Sequence, residues 1–116
     1  MGFAQSSLEG AVTKTSSGLV ILSGREAHTF LSTACINCGR CLEVCPMRLM
    51  PNELSRFIEA EEYEAAEQYC VLDCVECGCC AFECPAHRPL VQHMRRGKAE
   101  VAARILARGV ADKDSE

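Results

Sequence analysis

The chain has 116 residues, a net charge of −4 and ten cysteines, with no tryptophan, two tyrosines and four phenylalanines. An acidic balance with so few aromatic rings lacks both the charge footprint and the stacking platforms of a nucleic-acid binder, so nucleic acid is not expected as a partner. The opening MGFAQSSLEG has neither the basic nor the apolar stretch of a secretory signal, and no run approaches a membrane span.

A soluble chain in a reducing compartment is therefore expected, where clustered cysteines indicate metal or redox chemistry more than a disulfide framework. The length allows one domain, at a size where hydrophobic burial alone stabilises little and bound metal would add what is missing.

Residues 1–34 carry no cysteine and read as a separate N-terminal segment, the tail of a preceding domain or an extension. TKTSSG reads as a turn and GLVIL, after Gly18, as a short strand. Ser23 and Glu26 fit a capping box, and Ala27, Phe30, Leu31 and Ala34 fall at helical spacing, which predicts a short helix leading into the first cysteine.

Between the two cysteine-rich stretches, Pro51 and Asn52 mark a helix start, with Leu54, Phe57 and Ile58 on one face. Tyr63, Ala66 and Cys70 give a second face. Glu61 and Glu62 interrupt the first, so two short helices are predicted in place of one long one. This insert is strongly acidic, which reads as a solvated face or as a docking surface for a basic partner. Past the second stretch, Pro89 suits the first turn of a long helix. Leu90, Val91, Met94, Val101 and Ile105 line one face as far as Gly109, a C′ candidate. Residues 110–116 read as a flexible tail, and the basic residues of this helix point in several directions.

The chemistry lies in CINCGRCLEVCP, residues 35–46, and CVECGCCAFECP, residues 74–85. They share six identities in twelve positions at an offset of 39, an internal two-fold repeat. Each is C-x2-C-x2-C-x3-C-P, the spacing of two-cluster ferredoxins, in which the fourth cysteine ligates the other cluster. Three thiolates two residues apart can wrap a compact loop around three irons of a cubane. Cys41 and Cys45, four residues apart, are separated by about 6 Å along a helix axis, which carries the last sulfur toward the neighbouring cluster. The inferred 4Fe-4S ligand sets are Cys35, Cys38, Cys41 and Cys84 for the first cluster, and Cys74, Cys77, Cys80 and Cys45 for the second.

Gly39 and Gly78 allow tight turns toward cluster sulfur, Ile36 and Val75 are expected to exclude water, and Pro46 and Pro85 turn the chain away. Zinc is the main rival, because C-x2-C pairs also form zinc knuckles, but a tetrahedral site has no use for the third and fourth cysteines of each run. Cys70 reads as a buried small residue and Cys79 as a residue packed beside the second cluster. His28, His87 and His93 match no ligand spacing and read as structural or solvated.

Beyond the cysteines, "CPM-x-L", "LDC-x-ECG" and "PLVQ" accompany the runs over roughly residues 35–102. Together they resemble the ferredoxin-like module of the C subunit of the Rnf (Rsx) electron-transport complex. Residues 1–22 resemble the segment that precedes that module. The resemblance implies a mostly α, helical dicluster fold over residues 35–109, of the kind in the iron-sulfur subunits of fumarate reductase and heterodisulfide reductase. It implies electron transfer through two 4Fe-4S clusters, in a peripheral subunit on the cytoplasmic side of a membrane complex that exchanges electrons between ferredoxin and NAD while moving ions. The implied partners are a flavoprotein or NADH-binding domain or subunit, other subunits of that complex, and ferredoxin. The family's long upstream flavin and NADH domain has no counterpart in residues 1–34, so no flavin or NAD site is expected here. The chain then reads as a fragment, a truncated product or a stand-alone relay. A helical dicluster subunit of another oxidoreductase and a zinc-stabilised interaction module are the alternatives.

Overall fold

A computed structural model describes residue 5, residues 7–28 and residues 30–114. Five α-helices follow one another: α1 (Arg40–Val44), α2 (Pro51–Glu59), α3 (Tyr63–Gln68), α4 (Cys79–Glu83) and α5 (Leu90–Asp114), with a 3-10 turn at Val71–Asp73 before α4. Among the described residues there is no strand.

The predicted strand at residues 18–22 does not form. Leu19, Val20 and Ile21 are 70–85% exposed and have no partner strand, without which extended backbone gains no ladder hydrogen bonds. The predicted helix over residues 27–34 stops at its first turn. Glu26 Oε2 accepts from the Ser23 amide at 3.2 Å and from the Ser23 hydroxyl at 2.8 Å, and the Ala27 amide bonds the Ser23 carbonyl at 2.9 Å. One turn without a packed face does not offset its nucleation cost.

Pro51 opens α2 at its first position. The break predicted at residues 61 and 62 is a Schellman ending: the Glu62 amide reaches the Phe57 carbonyl at 2.8 Å and the Glu61 amide the Ile58 carbonyl at 3.2 Å, with Glu61 left-handed at φ 60°. Helix α3 then folds back. Leu54, Ile58, Tyr63, Ala66, Val71, Met94 and Val101 form one buried cluster between α2, α3, the 3-10 turn and α5. A second, smaller cluster of Cys41, Cys80 and Leu90 joins α1, α4 and the start of α5.

Along α5 the buried positions are Leu90, Met94, Gly97 and Val101. A Cβ at Gly97 would stand 2.5 Å from Ile58 Cδ1, so the glycine lets α5 approach α2 closely. The helix does not end at Gly109 as predicted but continues to Asp114, since a glycine inside a helix costs only about 1 kcal/mol. Residues 115 and 116 of the expected tail lie outside the described residues.

The acidic insert and the basic helix pair with each other. Glu61 bonds Arg96 at 3.0 Å and Glu67 bonds Arg108 at 2.5 Å, and beyond the insert Glu76 of the second cysteine run bonds Arg95 at 3.0 Å and Lys98 at 3.2 Å. These partly exposed pairs add little energy each, but they orient α5 over the insert.

Candidate iron-sulfur sites

Each cysteine run folds in the same sequence of backbone states. After the first cysteine, the residue two positions on is left-handed, Asn37 at φ 58° and Glu76 at φ 57°. Its amide then turns onto the sulfur behind it: Asn37 N–H to Cys35 Sγ and Glu76 N–H to Cys74 Sγ, both at 3.4 Å. Gly39 at φ 77° and Gly78 at φ 81° cap α1 and α4, each of five residues. The fourth cysteines, Cys45 and Cys84, leave those helices in extended conformation. Arg48 and His87, 39 residues apart, are again both left-handed, at φ 55° and 52°, and their amides bond the carbonyls of Cys45 and Cys84 at 3.1 Å. Left-handed backbone at a non-glycine residue costs on the order of 1 kcal/mol, and its recurrence at matched positions marks a geometry both runs require.

Two cavities result. One, open to solvent, has Cys35, Cys38, Cys41 and Cys84 on its wall. The other, likewise open to solvent, has Cys74, Cys77, Cys80 and Cys45. Each takes three sulfurs from one run and the last sulfur of the other, the grouping that crosswise ligation requires. Among the described residues no three His, Cys, Asp or Glu side chains converge as they would on one bound ion.

The walls suit a sulfur-ligated inorganic body. Besides the two amides above, the Leu49 amide bonds Cys45 Sγ at 3.4 Å. In the first cavity the Asn52 side chain has a buried Oδ1 with no partner. Its Nδ2–H donates to Asn37 Oδ1 at 3.4 Å. Burial pushes the Cys80 thiol up to about 11. Burial likewise raises Cys41, against the pull of the Asn52 backbone amide, and Cys74, against the Glu76 amide and Lys98. Thiols that resist ionisation in the empty fold become thiolates when metal binds, and metal binding therefore releases protons.

Ile36 and Val75 line the two cavities and remain 67% and 59% exposed. Cys70 is not the buried residue expected on the face of Tyr63 and Ala66. It follows α3 in left-handed conformation at φ 59°, which swings its side chain out to solvent. Cys79 opens α4, half-buried. Helix periodicity could not show either outcome, because both residues sit at helix ends.

Sequence reading missed a polar cluster behind the first cavity. Arg88, on the cavity wall, donates to Ser55 Oγ at 3.0 Å and pairs with Glu59 at 2.5 Å. Ser55 is fully buried and lies 2.7 Å from His93 Nδ1. Its only signal was a serine on the buried face of α2. His87 stacks on Phe30 with ring centroids 4.0 Å apart.

Residues 29–48, which hold the first cysteine run, match the family described as 4Fe-4S binding domain. The chain is 48% identical over 101 residues to the C subunit of the proton-translocating ferredoxin:NAD(+) oxidoreductase complex of Clostridium ljungdahlii, covering 86% of this chain and 22% of that protein. Against the C subunit of the ion-translocating oxidoreductase complex of Pasteurella multocida it is 40% identical over 102 residues, 87% of this chain and 12% of that one. Against the C subunit of the same complex in Methanosarcina acetivorans it is 37% identical over 93 residues, 80% and 21%. This chain is a homologue of one segment of these C subunits. It spans about a fifth or less of their length, and the segment it spans contains both cysteine runs and the insert between them. Among the described residues no helix is long and apolar enough to cross a membrane.

Proposed function

We propose that the chain is a two-cluster electron relay, the ferredoxin-like module of an Rnf-type C subunit. Cys35, Cys38, Cys41 and Cys84 hold one 4Fe-4S cluster and Cys74, Cys77, Cys80 and Cys45 the other. When bound, the clusters supply one-electron redox chemistry. The polypeptide supplies the rest: it fixes eight thiolates, turns backbone amides onto sulfur, and keeps the two sites adjacent through the crossed cysteines. The observation that carries this reading is the pair of cavities, each walled by three cysteines of one run and the fourth of the other.

The relay works in a larger assembly, as a peripheral component on the cytoplasmic face of the membrane. Its partners are a flavoprotein domain or subunit that binds NADH, further subunits of the complex, and ferredoxin. NADH delivers a hydride, and splitting two electrons into single steps needs a flavin, for which this sequence has no glycine-rich dinucleotide or phosphate loop.

Anaerobic reconstitution followed by iron and acid-labile sulfide analysis tests the reading, with about eight of each per chain expected. Stoichiometric zinc without sulfide would falsify it. Dithionite should then bleach the visible absorbance, and NADH should do so only when an NADH-oxidising flavoprotein domain is added. Bleaching by NADH alone would overturn the relay assignment.

A further inference from the structure

The two cysteine turns have the same backbone but unlike supports. Asn37 and Glu76 occupy the same left-handed place, two residues past the first cysteine of each run, and each turns its amide onto that cysteine's sulfur. The Glu76 side chain is gripped from α5: Lys98 Nζ donates to Oε1 at 3.2 Å and Arg95 Nε to Oε2 at 3.0 Å. Lys98 Nζ also donates to the Cys74 carbonyl at 2.9 Å. One ammonium thus holds both the peptide group of the ligand and the residue whose amide faces its sulfur. At the first run Asn37 Oδ1 accepts from Asn52 Nδ2 at 3.4 Å. The position matching Lys98, 39 residues earlier, is Glu59, a carboxylate that has no proton to donate to a carbonyl and that pairs with Arg88.

We propose that Lys98 is the positioning residue of the second site: it sets the turn of the second run before metal binds, so that the second cluster is the more firmly held and the first is released first. The assignment rests on the two-cluster reading above. A loop that must be ordered as metal binds gives up part of the binding energy in doing so, and a turn already held gives up less. Bonds in which one partner is charged are about twice as strong as those between neutral groups. Lys98 and Arg95 lie three residues apart on α5, a helix fixed to the core on either side of Lys98 by Met94 and Val101.

Burial works against the charge of Glu76, but Lys98 and Arg95 hold its carboxyl below the ordinary value, so the grip stays ionised at neutral pH. The first run has a tie of its own in the Thr33 amide on the Ala86 carbonyl at 2.9 Å. That bond lies ahead of Cys35 and leaves the Asn37 side chain on a neutral contact at the long end of the hydrogen-bond range. Cys35 is exposed, whereas Cys74, its counterpart, is half-buried.

The test is anaerobic iron release from the reconstituted chain to a ferrous chelator, bathophenanthroline disulfonate, followed by its colour. Two phases of about four irons each are expected. The slow phase should survive in Cys84→Ser, which damages the first site, and be missing in Cys45→Ala. Lys98→Met should speed the slow phase by about tenfold and leave the fast phase unmoved. Lys98→Arg should restore it, since a guanidinium can reach both acceptors. Glu76→Gln should speed the same phase by a smaller factor, and decides the matter if the methionine variant does not take up iron. A slow phase unmoved in these variants, both phases speeded alike as a weakened fold would give, or a slow phase belonging to the first site overturns the assignment. So does release of all eight irons in one phase. A wild-type content of about four irons instead overturns the two-cluster reading beneath it.

Discussion

Residues 5–34 and residues 35–101 both carry runs of aliphatic side chains, but among the described residues only the second stretch puts them out of water. Leu19, Val20 and Ile21 are 70–85% exposed, whereas Leu54, Ile58 and Val71 have no exposed surface. The difference is in what each segment meets. The insert helices are returned onto α5 by the two cysteine runs on either side of them, and their apolar faces find a partner. The N-terminal segment touches the remainder at few points, among them the Thr33 amide on the Ala86 carbonyl at 2.9 Å and the Phe30–His87 stack. Apolar side chains become core when the chain around them is closed, and here the closing elements are the two cysteine runs.

The sharpest way to break that comparison is to open the closure. Cys45→Ala removes the one sulfur that the first run sends to the second cavity, and should reduce the iron content by about half, with the first set of four thiolates left intact. Loss of the first cluster's spectrum instead would reverse the assignment. Stripping both clusters should go further and abolish cooperative unfolding of residues 35–101, as in other metal-coupled domains, while leaving the N-terminal segment as exposed as before. A sharp thermal transition in iron-free protein would show that the helices close without metal.

Point substitutions sharpen the same contrast. Leu54→Ala should cost about 2–5 kcal/mol in denaturant unfolding of the loaded protein, because it empties a fully buried position between α2 and α5. Ile21→Ala, at an exposed position, should stay within about 0.5 kcal/mol. Comparable costs at the two sites would mean that the N-terminal segment packs in solution. Next in size is Gly97→Ala. Its new Cβ would meet Ile58 at 2.5 Å and Val71 Cγ2 at 3.3 Å, and the overpacking should cost about 1–3 kcal/mol. An unchanged unfolding midpoint would show that α5 is free to move off α2.

Legibility in the sequence follows the same division. Two short helices in the insert, with their break at Glu61 and Glu62, were legible because local periodicity and charge agreed with what α5 requires of that face. The grouping of cysteines across the runs was legible because a spacing of three residues fixes how far a helical turn carries a sulfur. The strand at residues 18–22 was misread because β-branched residues signal a pleated, half-buried surface, and no neighbouring strand supplies one. Gly97 and Ser55 stayed hidden for the opposite reason: each is small or polar, and its role exists only where two helices distant in sequence meet.

The smallest expected effect concerns the polar cluster behind the first cavity. Arg88 already donates to Ser55 Oγ, so the serine hydroxyl proton is available to His93 Nδ1, which then accepts and must be unprotonated, with Nε2–H facing Glu59. Burial holds the His93 pKa below its ordinary value of 6.5, Arg88 and Arg96 act the same way, and Glu59 opposes them. The unfolded chain therefore takes up the proton first as pH falls. The stability this histidine contributes is complete above about 6.5 and declines as the pH drops from there toward the lower folded-state value. Between about pH 7.5 and 5.5 the loaded wild-type protein should lose more of its unfolding midpoint than His93→Gln does, because glutamine has no proton to take up. Equal losses in the two proteins would place the acid sensitivity elsewhere, in the cysteine sites themselves, and would separate the polar cluster from the stability of the fold it sits in.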